Sequence, residues 1–177
     1  MTDPERPGLE FGVRPRTILI MGVAGCGKST VGELLARRLG WTYVDADWLH
    51  PAANVAKMSR GEPLTDDDRW PWLEAVSERI EEIHREGGNV VLACSALKRA
   101  YRDVLRERAR NMQLVFLKGD RETIEKRLAT RTGHYMPAAL LASQLATLEE
   151  PRVEERPLVV SIEAAPEEIV EAIVTSR

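Results

Sequence analysis

An eight-residue stretch, GVAGCGKS from Gly22 to Ser29, has the composition of a loop that binds phosphate. It fits the pattern GxxxxGK[ST], in which glycines let backbone N–H groups turn inward around an anion. In this pattern Lys28 supplies positive charge for the terminal phosphates, and the hydroxyl of Ser29 is a ligand for Mg2+. The stretch therefore predicts a nucleoside triphosphate site in preference to a purely structural glycine turn. The predicted nucleotide-binding residues are Gly22, Val23, Ala24, Gly25, Cys26, Gly27, Lys28, Ser29 and Thr30.

Two carboxylates, Asp45 and Asp47, follow the second apolar segment of the chain. Such a pair suits phosphoryl transfer to a bound hydroxyl, where one carboxylate steadies hydrated Mg2+ and the other accepts the hydroxyl proton. We take Asp47 as the candidate base or hydroxyl-positioning group and Asp45 as the metal-side partner, although the sequence leaves that order open. The alternative is that the pair caps the next segment, which accounts for one aspartate but hardly for both.

Apolar patterning predicts strands and helices in alternation around these residues. A helix after the phosphate loop ends at Leu39 with Gly40 as its cap, and the run of apolar residues from Trp72 to Ile83 predicts a long helix that stops at Gly87. The predicted strands are Thr17–Met21, Thr42–Asp45, Asn89–Ala93, Met112–Leu117 and Leu158–Ile162. The other predicted helices are Lys98–Ala109, Arg121–Arg131, Ala138–Leu148 and Pro166–Val174.

This alternation indicates an α/β fold, with a five-stranded parallel sheet and helices on both faces. Ligands of such sheets bind at the carboxyl ends of the strands. The phosphate loop, the acidic pair and Cys94-Ser95 therefore meet at one rim. We interpret residues 1–16 as a loose tail and residues 17–177 as one domain.

Composition limits the kinds of partner. A net charge of −3 argues against general nucleic-acid binding, and no apolar run approaches the roughly 20 residues that span a bilayer. The two cysteines, Cys26 and Cys94, make no disulfide framework, and they favour a reduced cytoplasmic location. Cys26 stands at a helix start, a position that favours the thiolate form. We therefore consider the hypothesis that oxidation of Cys26 blocks the loop.

Two classes of phosphate-loop protein lack support in the sequence. A switch GTPase needs an Asn-Lys-x-Asp run for guanine, and the chain has none. An ATPase motor usually carries an acidic residue after an apolar strand, whereas the third strand runs into Cys94 and Ser95. A kinase for a small hydroxylated molecule remains.

Several motifs resemble those of the gluconokinase family. They are DADWLHP at Asp45–Pro51, GEPLTDDDR at Gly61–Arg69, CSALK at Cys94–Lys98, Ser143-Gln144 and TLEEP at Thr147–Pro151. The resemblance implies a P-loop NTPase fold of the nucleotide-kinase type, with a lid at about residues 131–142. It implies ATP-dependent phosphorylation of D-gluconate at its 6-hydroxyl to 6-phosphogluconate, with Mg2+. A homodimer is also implied, with no interface readable from the chain.

A sugar acid needs a cation for its carboxylate, and Arg69 and Lys98 are the candidates. The alternative for Arg69 is a surface pair with Asp66 or Asp67. Lys98 is equally typical of a solvated lysine, and only the resemblance selects it. His50 is a candidate to hydrogen-bond an acceptor hydroxyl, although a lone histidine before proline is more often a loop residue. The remaining candidates for substrate binding are Asp47, Ser95 and His134.

Arg127 and Arg131 are four residues apart and so share one helix face, just before the irregular segment around Gly133. Small kinases place a lid here, and its arginines stabilise transition-state charge while closure excludes water. We predict this catalytic role together with that of Lys28 and Asp47. The alternative is a solvated helix face.

Two rival functions remain open. Shikimate and adenylylsulfate kinases share the loop, the early acidic pair and the size, but they lack the motifs Leu49-His50-Pro51 and Cys94–Lys98. In a non-catalytic ATP-binding module we expect the acceptor-side residues to be replaced. In this chain the acids, Arg69 and the lid arginines are all present. We therefore favour the kinase.

Overall fold

The computed structural model describes residues 17–109, 111–131 and 138–177. Its strands are β1 Thr17–Met21, β2 Thr42–Asp45, β3 Val90–Ala93, β4 Met112–Lys118 and β5 Leu158–Ser161. Its helices are α1 Lys28–Leu39, α2 Ala52–Ser59, α3 Asp66–Arg85, α4 Arg99–Arg108, α5 Arg121–Thr130, α6 Ala138–Thr147 and α7 Pro166–Thr175. Two short 3-10 turns cover Ala46–Leu49 and Val153–Glu155.

The five strands form one parallel sheet in the order β2-β3-β1-β4-β5, which confirms the predicted class. The register aligns Asp45 of β2 with Ala93 of β3, and Ala93 with Ile20 of β1. The carboxyl ends of these three strands therefore lie side by side. This alignment brings the residues that follow them to one rim, as predicted.

Alternating side chains of β1 serve two core layers. Leu19 and Met21 pack with α3 and α4 on one face, in a buried cluster that includes Trp72. Ile18 and Ile20 pack with α1 and α7 on the other face. Helices thus cover both faces of the sheet, because every residue of β1 is buried and successive side chains point to opposite sides.

The predicted strands are confirmed to within one residue at each end, and so is the cap of α1 at Gly40, which has φ 66°.

The residues after Asp45 differ from the prediction, which left them without structure. They form the 3-10 turn Ala46–Leu49 and helix α2. Only Asn54 of α2 is buried, so this helix carries no apolar stripe by which a sequence pattern could reveal it. The predicted N-terminal tail, residues 1–16, lies outside the described residues.

Candidate active site

The phosphate loop joins the end of β1 to the first turn of α1. Gly22, Gly25 and Gly27 have φ values of 150°, 81° and 97°, which residues with a Cβ rarely adopt. Gly25 also lies against α5, since a Cβ there would stand 2.8 Å from Cγ of Leu128. Backbone conformation therefore favours glycine at all three positions, and close packing against α5 is a second requirement at Gly25.

Replacing Gly25 with alanine is expected to weaken ATP binding. The new methyl group meets Leu128 while the backbone keeps a left-handed conformation, so the loop must shift at a cost of about 1–3 kcal/mol. We expect roughly a tenfold rise in the Kd of a non-hydrolysable ATP analogue, measured by calorimetry. Gly40→Ala is the matched control, because Gly40 has a positive φ but no atom within 4 Å of the point where a Cβ would stand. An unchanged Kd for Gly25→Ala would contradict the proposed role of this loop.

Lys28, the first residue of α1, folds back over the loop. Its Nζ donates a hydrogen bond to the Val23 carbonyl oxygen at 3.1 Å. The Cys26 thiol beneath it is only 1% exposed, and Lys28 Nζ lies 4.0 Å from its Sγ. Reactive cysteines are partly accessible, so the hypothesis that oxidation of Cys26 blocks the loop finds no support in this buried position.

Ser29 and Asp45 meet beside the phosphate loop, and we call this pair the metal-side corner after its predicted role. The Ser29 hydroxyl donates to Asp45 Oδ2 at 3.0 Å, and the Tyr43 hydroxyl donates to the same oxygen at 3.2 Å. The other carboxylate oxygen accepts the backbone N–H of Asp47 at 3.0 Å. Burial raises the pKa of the Tyr43 phenol above its ordinary value, which keeps this group a hydrogen-bond donor. Apart from its place in an apolar strand, nothing in the sequence predicts that Tyr43 belongs to the site.

This corner fits Mg2+ of the kind that nucleotides carry. It offers a hydroxyl and a carboxylate, which are the hard oxygen ligands that Mg2+ prefers. Within the described ranges, no group of three or more His, Cys, Asp or Glu side chains forms a metal cage. That is expected, because Mg2+ in kinases usually takes one or two protein ligands and fills its shell with phosphate oxygens and water.

Asp47 and His50, the residues predicted for the acceptor side, follow this corner along the chain. The Asp47 side chain is 75% exposed, and its Oδ1 lies 3.9 Å from His50 Nε2. The His50 ring stacks on Trp72 with ring centroids 4.2 Å apart. Burial lowers the pKa of His50, against the opposing charge of Asp47. The imidazole is therefore neutral at physiological pH.

Asn54 determines which nitrogen of His50 carries the proton. Its Nδ2 lies 2.9 Å from the carbonyl oxygen of Asp68 and 3.2 Å from His50 Nδ1. An amide NH₂ has two hydrogens to donate, so Nδ1 of the neutral ring is the acceptor. The hydrogen then resides on Nε2 and faces Asp47. No site role was predicted for Asn54, because its bond to the Asp68 carbonyl oxygen depends on a contact between α2 and α3.

A cavity of about 430 Å³ opens beside α3 at the same rim. Its lining residues are Leu64, Thr65, Asp66, Asp67, Arg69, Lys98 and Thr147. The guanidinium of Arg69 donates to the Leu64 carbonyl oxygen at 2.7 Å and to the Tyr101 hydroxyl at 3.2 Å. The structure thus places Arg69 in a cavity rather than in a surface pair with Asp66 or Asp67.

Lys98 reaches the same cavity and pairs with Asp66. Its Nζ lies 3.0 and 3.1 Å from the two carboxylate oxygens, and the buried Tyr101 hydroxyl also donates to Asp66. Hydrogen bonds from Tyr101 and Lys98 hold the pKa of Asp66 below its usual value. Tyr101 was missed as a site residue, although a buried tyrosine hydroxyl generally needs a polar partner.

The other candidate residues lie at different distances from this centre. Ser95 provides its carbonyl oxygen to the Gly22 N–H at 3.4 Å and does not line the cavity. Arg127 donates to the Ile162 carbonyl oxygen, and its Nη1 lies 3.9 Å from the point where a Cβ of Gly27 would stand, beside the phosphate loop. Arg131 follows α5 and is exposed. His134 falls outside the described residues, as does the first part of the predicted lid.

No helix in the described part of the chain is long and apolar enough to cross a membrane.

Comparison with solved structures supports the fold. A shikimate kinase from Aquifex aeolicus superposes with a TM-score of 0.65 at 20% identity, over 90% of this chain and 95% of that one. At this identity the likeness shows the fold alone.

Closer similarity identifies the family. A protein family described as AAA domain matches residues 18–151. The gluconokinase of Gluconobacter oxydans is 46% identical over 93% of both chains, and the thermoresistant gluconokinase of Escherichia coli is 44% identical over 80% of this chain and 81% of that one. A crystal structure of a gluconokinase from Sinorhizobium meliloti superposes with a TM-score of 0.81 at 49% identity, over 90% of both chains. This chain belongs to the gluconokinase family.

Proposed function

We propose that this protein transfers the γ-phosphoryl group of ATP to the 6-hydroxyl of D-gluconate, giving 6-phosphogluconate and ADP. The observation that carries the proposal is a cavity with two cations, Arg69 and Lys98, at the same rim as a phosphate loop. Relatives named gluconokinase across most of the chain support gluconate as the acceptor. The two free cysteines support a reducing, cytoplasmic location.

On the donor side, the loop amides and Lys28 bind the phosphates of ATP. Ser29 and Asp45 would hold Mg2+, which supplies charge neutralisation for the phosphates when bound. Arg127 beside Gly27 is in place to add positive charge near the donor. We propose that Arg131 and His134 belong to the lid that closes over the nucleotide.

On the acceptor side, Asp47 orients the hydroxyl and accepts its proton. The contact of Asp45 with Ser29 supports assigning the metal to Asp45 and the proton to Asp47. It leaves the exposed carboxylate of Asp47 outside the metal-side corner. His50, neutral and with its proton on Nε2, is suited to donate to Asp47 or to an acceptor hydroxyl. Arg69 and Lys98 bind the carboxylate of the sugar acid. Ser95 does not line this cavity, so its contact with the substrate stays a prediction.

The direct test is a coupled assay of ADP release with ATP and D-gluconate, run beside other sugar acids, shikimate and adenylylsulfate. The proposal expects the highest kcat/KM for D-gluconate. A higher value for shikimate or adenylylsulfate would favour the rival kinase functions. Tight ATP binding without turnover on any of these acceptors would favour the non-catalytic module.

Replacing Lys98 with methionine is expected to raise the KM for gluconate about 10- to 100-fold, since a hydrogen bond to a charged group is lost. The KM for ATP should stay within about twofold, because Lys98 lies on the acceptor side of the rim. Steady-state kinetics with both substrates varied will measure the two constants.

Lys57→Met is the matched control for this variant. Lys57 and Lys98 are each 32% exposed, and each pairs with an aspartate in the first turn of α3. Lys57 binds Asp68 and does not line the cavity, so its loss should leave the KM for gluconate unchanged. Equal effects of the two substitutions would show that Lys98 acts through helix stability.

A further inference from the structure

The end of α6 reaches the phosphate loop through one side chain. Oε1 of Gln144 accepts a hydrogen bond from the backbone N–H of Ala24 at 2.7 Å, which joins residues 120 positions apart. Ala24 lies between Gly22 and Gly25, in the outer turn of the loop. The amide of glutamine accepts this bond without adding a negative charge beside the triphosphate site. Gln144 therefore holds the donor loop without repelling its ligand.

Further along the chain, Glu149 holds the loop that carries Lys98. Its backbone N–H donates to the Leu97 carbonyl oxygen at 2.8 Å, and its carboxylate accepts the Arg99 N–H at 2.9 Å. Lys98 is the N-cap residue of α4 and makes no capping bond with its own side chain. Glu149 therefore supplies the missing cap and fixes the residues on both sides of Lys98.

The segment between these two residues is anchored across the rim. Leu148 packs against the core clusters of both sheet faces, and Thr147 lines the cavity of Arg69 and Lys98. We call Gln144–Glu149 the rim connector. It is fastened in the core by Leu148, to the donor loop by Gln144 and to the residues beside Lys98 by Glu149.

We propose that Gln144 and Glu149 are positioning residues for phosphoryl transfer, Gln144 for the ATP loop and Glu149 for Lys98. The proposal rests on the proposed function, since it assigns the acceptor site to gluconate. Displacements of about 1 Å from productive geometry can cost two orders of magnitude in rate, so a short connector between the two sites has kinetic value. It also gives a role to two of the family-like motifs that the chemistry left without one.

The experiment compares Gln144→Met and Glu149→Met by calorimetric titration with gluconate and with a non-hydrolysable ATP analogue plus Mg2+. Gln144→Met keeps the side-chain length but removes the acceptor, and we expect the Kd for the analogue to rise about 5- to 10-fold with gluconate binding unchanged. Glu149→Met should raise the Kd for gluconate by about tenfold with analogue binding unchanged. Glu149→Gln keeps an oxygen acceptor and should recover most of that loss.

Gln113→Met and Glu171→Met are the controls, because they remove a glutamine bonded to Ser176 and a glutamate bonded to Arg38, both away from the rim. Both should leave the two Kd values unchanged. Equal shifts for both ligands in either connector variant, or unchanged Kd values in folded protein, would overturn the proposal.

The wild-type protein separates failure of this proposal from failure of the proposed function. If it neither binds nor phosphorylates gluconate, the function fails and the role of Glu149 fails with it. The titration of Gln144→Met with the ATP analogue still decides the role of Gln144, whatever the acceptor is.

Discussion

Replacing Asp47 with asparagine is expected to lower kcat about a hundredfold to ten-thousandfold while ATP binding stays intact, as for loss of a general base. The Asp47 side chain is 75% exposed, and its backbone is held by the bond from its N–H to Asp45. Asparagine preserves that backbone bond and the side-chain volume but accepts no proton. Single-turnover kinetics and titration with a non-hydrolysable ATP analogue will measure the two effects separately.

Asp103→Asn is the control for this substitution. Asp103 is an exposed acid that pairs with Arg99 on α4, so it tests the loss of a surface carboxylate without a site role. Near-normal kcat for Asp47→Asn would remove Asp47 from the base position. Asp45 would then be the remaining carboxylate of the acidic pair, and its contact with Ser29 would need to break for proton transfer.

The metal-side corner illustrates what local sequence can predict. Thr42–Asp45 is a strand with the bounds that its apolar pattern predicts, and parallel strands bring their carboxyl ends together. The proximity of Ser29 and Asp45 follows from those two facts. The Tyr43 hydroxyl donates to the same carboxylate oxygen as Ser29 does. Its direction depends on packing against α1, which the spacing of residues along the chain does not predict.

Longer-range contacts explain what the sequence could not predict. Asn54 belongs to a mostly exposed helix, and its hydrogen bond to the Asp68 carbonyl oxygen depends on how α2 lies against α3. The bond between Gln144 and Ala24 likewise joins two distant segments, and no periodic pattern in the sequence indicates such a contact. Arg69 and Lys98 were predictable as cations, whereas the Asp66 and Tyr101 side chains that hold them in place were not. The lid roles of Arg131 and His134 stay predictions.

A buried ion pair ties the loop after β3, residues 94–98, to the 3-10 turn Val153–Glu155 beyond the rim connector. The guanidinium of Arg102 binds Glu155 through two hydrogen bonds of 2.7 and 3.0 Å, with the side chains only 1% and 2% exposed. Its Nη1 also donates to the carbonyl oxygens of Ala96 and Leu97. Ala96 has a φ of 43°, a conformation that costs about 1–2 kcal/mol for a residue with a Cβ. Arg102 therefore stabilises a strained turn.

The same pair makes stability depend on pH. Burial favours the neutral carboxyl of Glu155, but hydrogen bonds from Arg102 and from the Arg152 N–H outweigh it and hold the pKa below the usual 4.5. The unfolded chain then binds this proton at higher pH than the folded chain does. The stabilising contribution is therefore complete above about pH 4.5 and is lost as the pH falls through the folded pKa. Wild-type protein should lose more stability on acidification than a variant that lacks the Glu155 carboxylate.

Replacing Glu155 with glutamine is expected to lower the free energy of unfolding by about 3–5 kcal/mol, because it leaves a buried guanidinium without its counter-charge. Urea denaturation at pH 7 will measure this loss. Glu171→Gln, which breaks an exposed pair with Arg38, should cost no more than about 1 kcal/mol. The double variant Arg102→Met/Glu155→Met should recover part of the loss, since no buried charge remains, but not all of it, since the carbonyl oxygens of Ala96 and Leu97 lose their donor. A double variant as stable as wild type would mean that the pair contributes no net stability and that the turn at Ala96 holds its shape without Arg102.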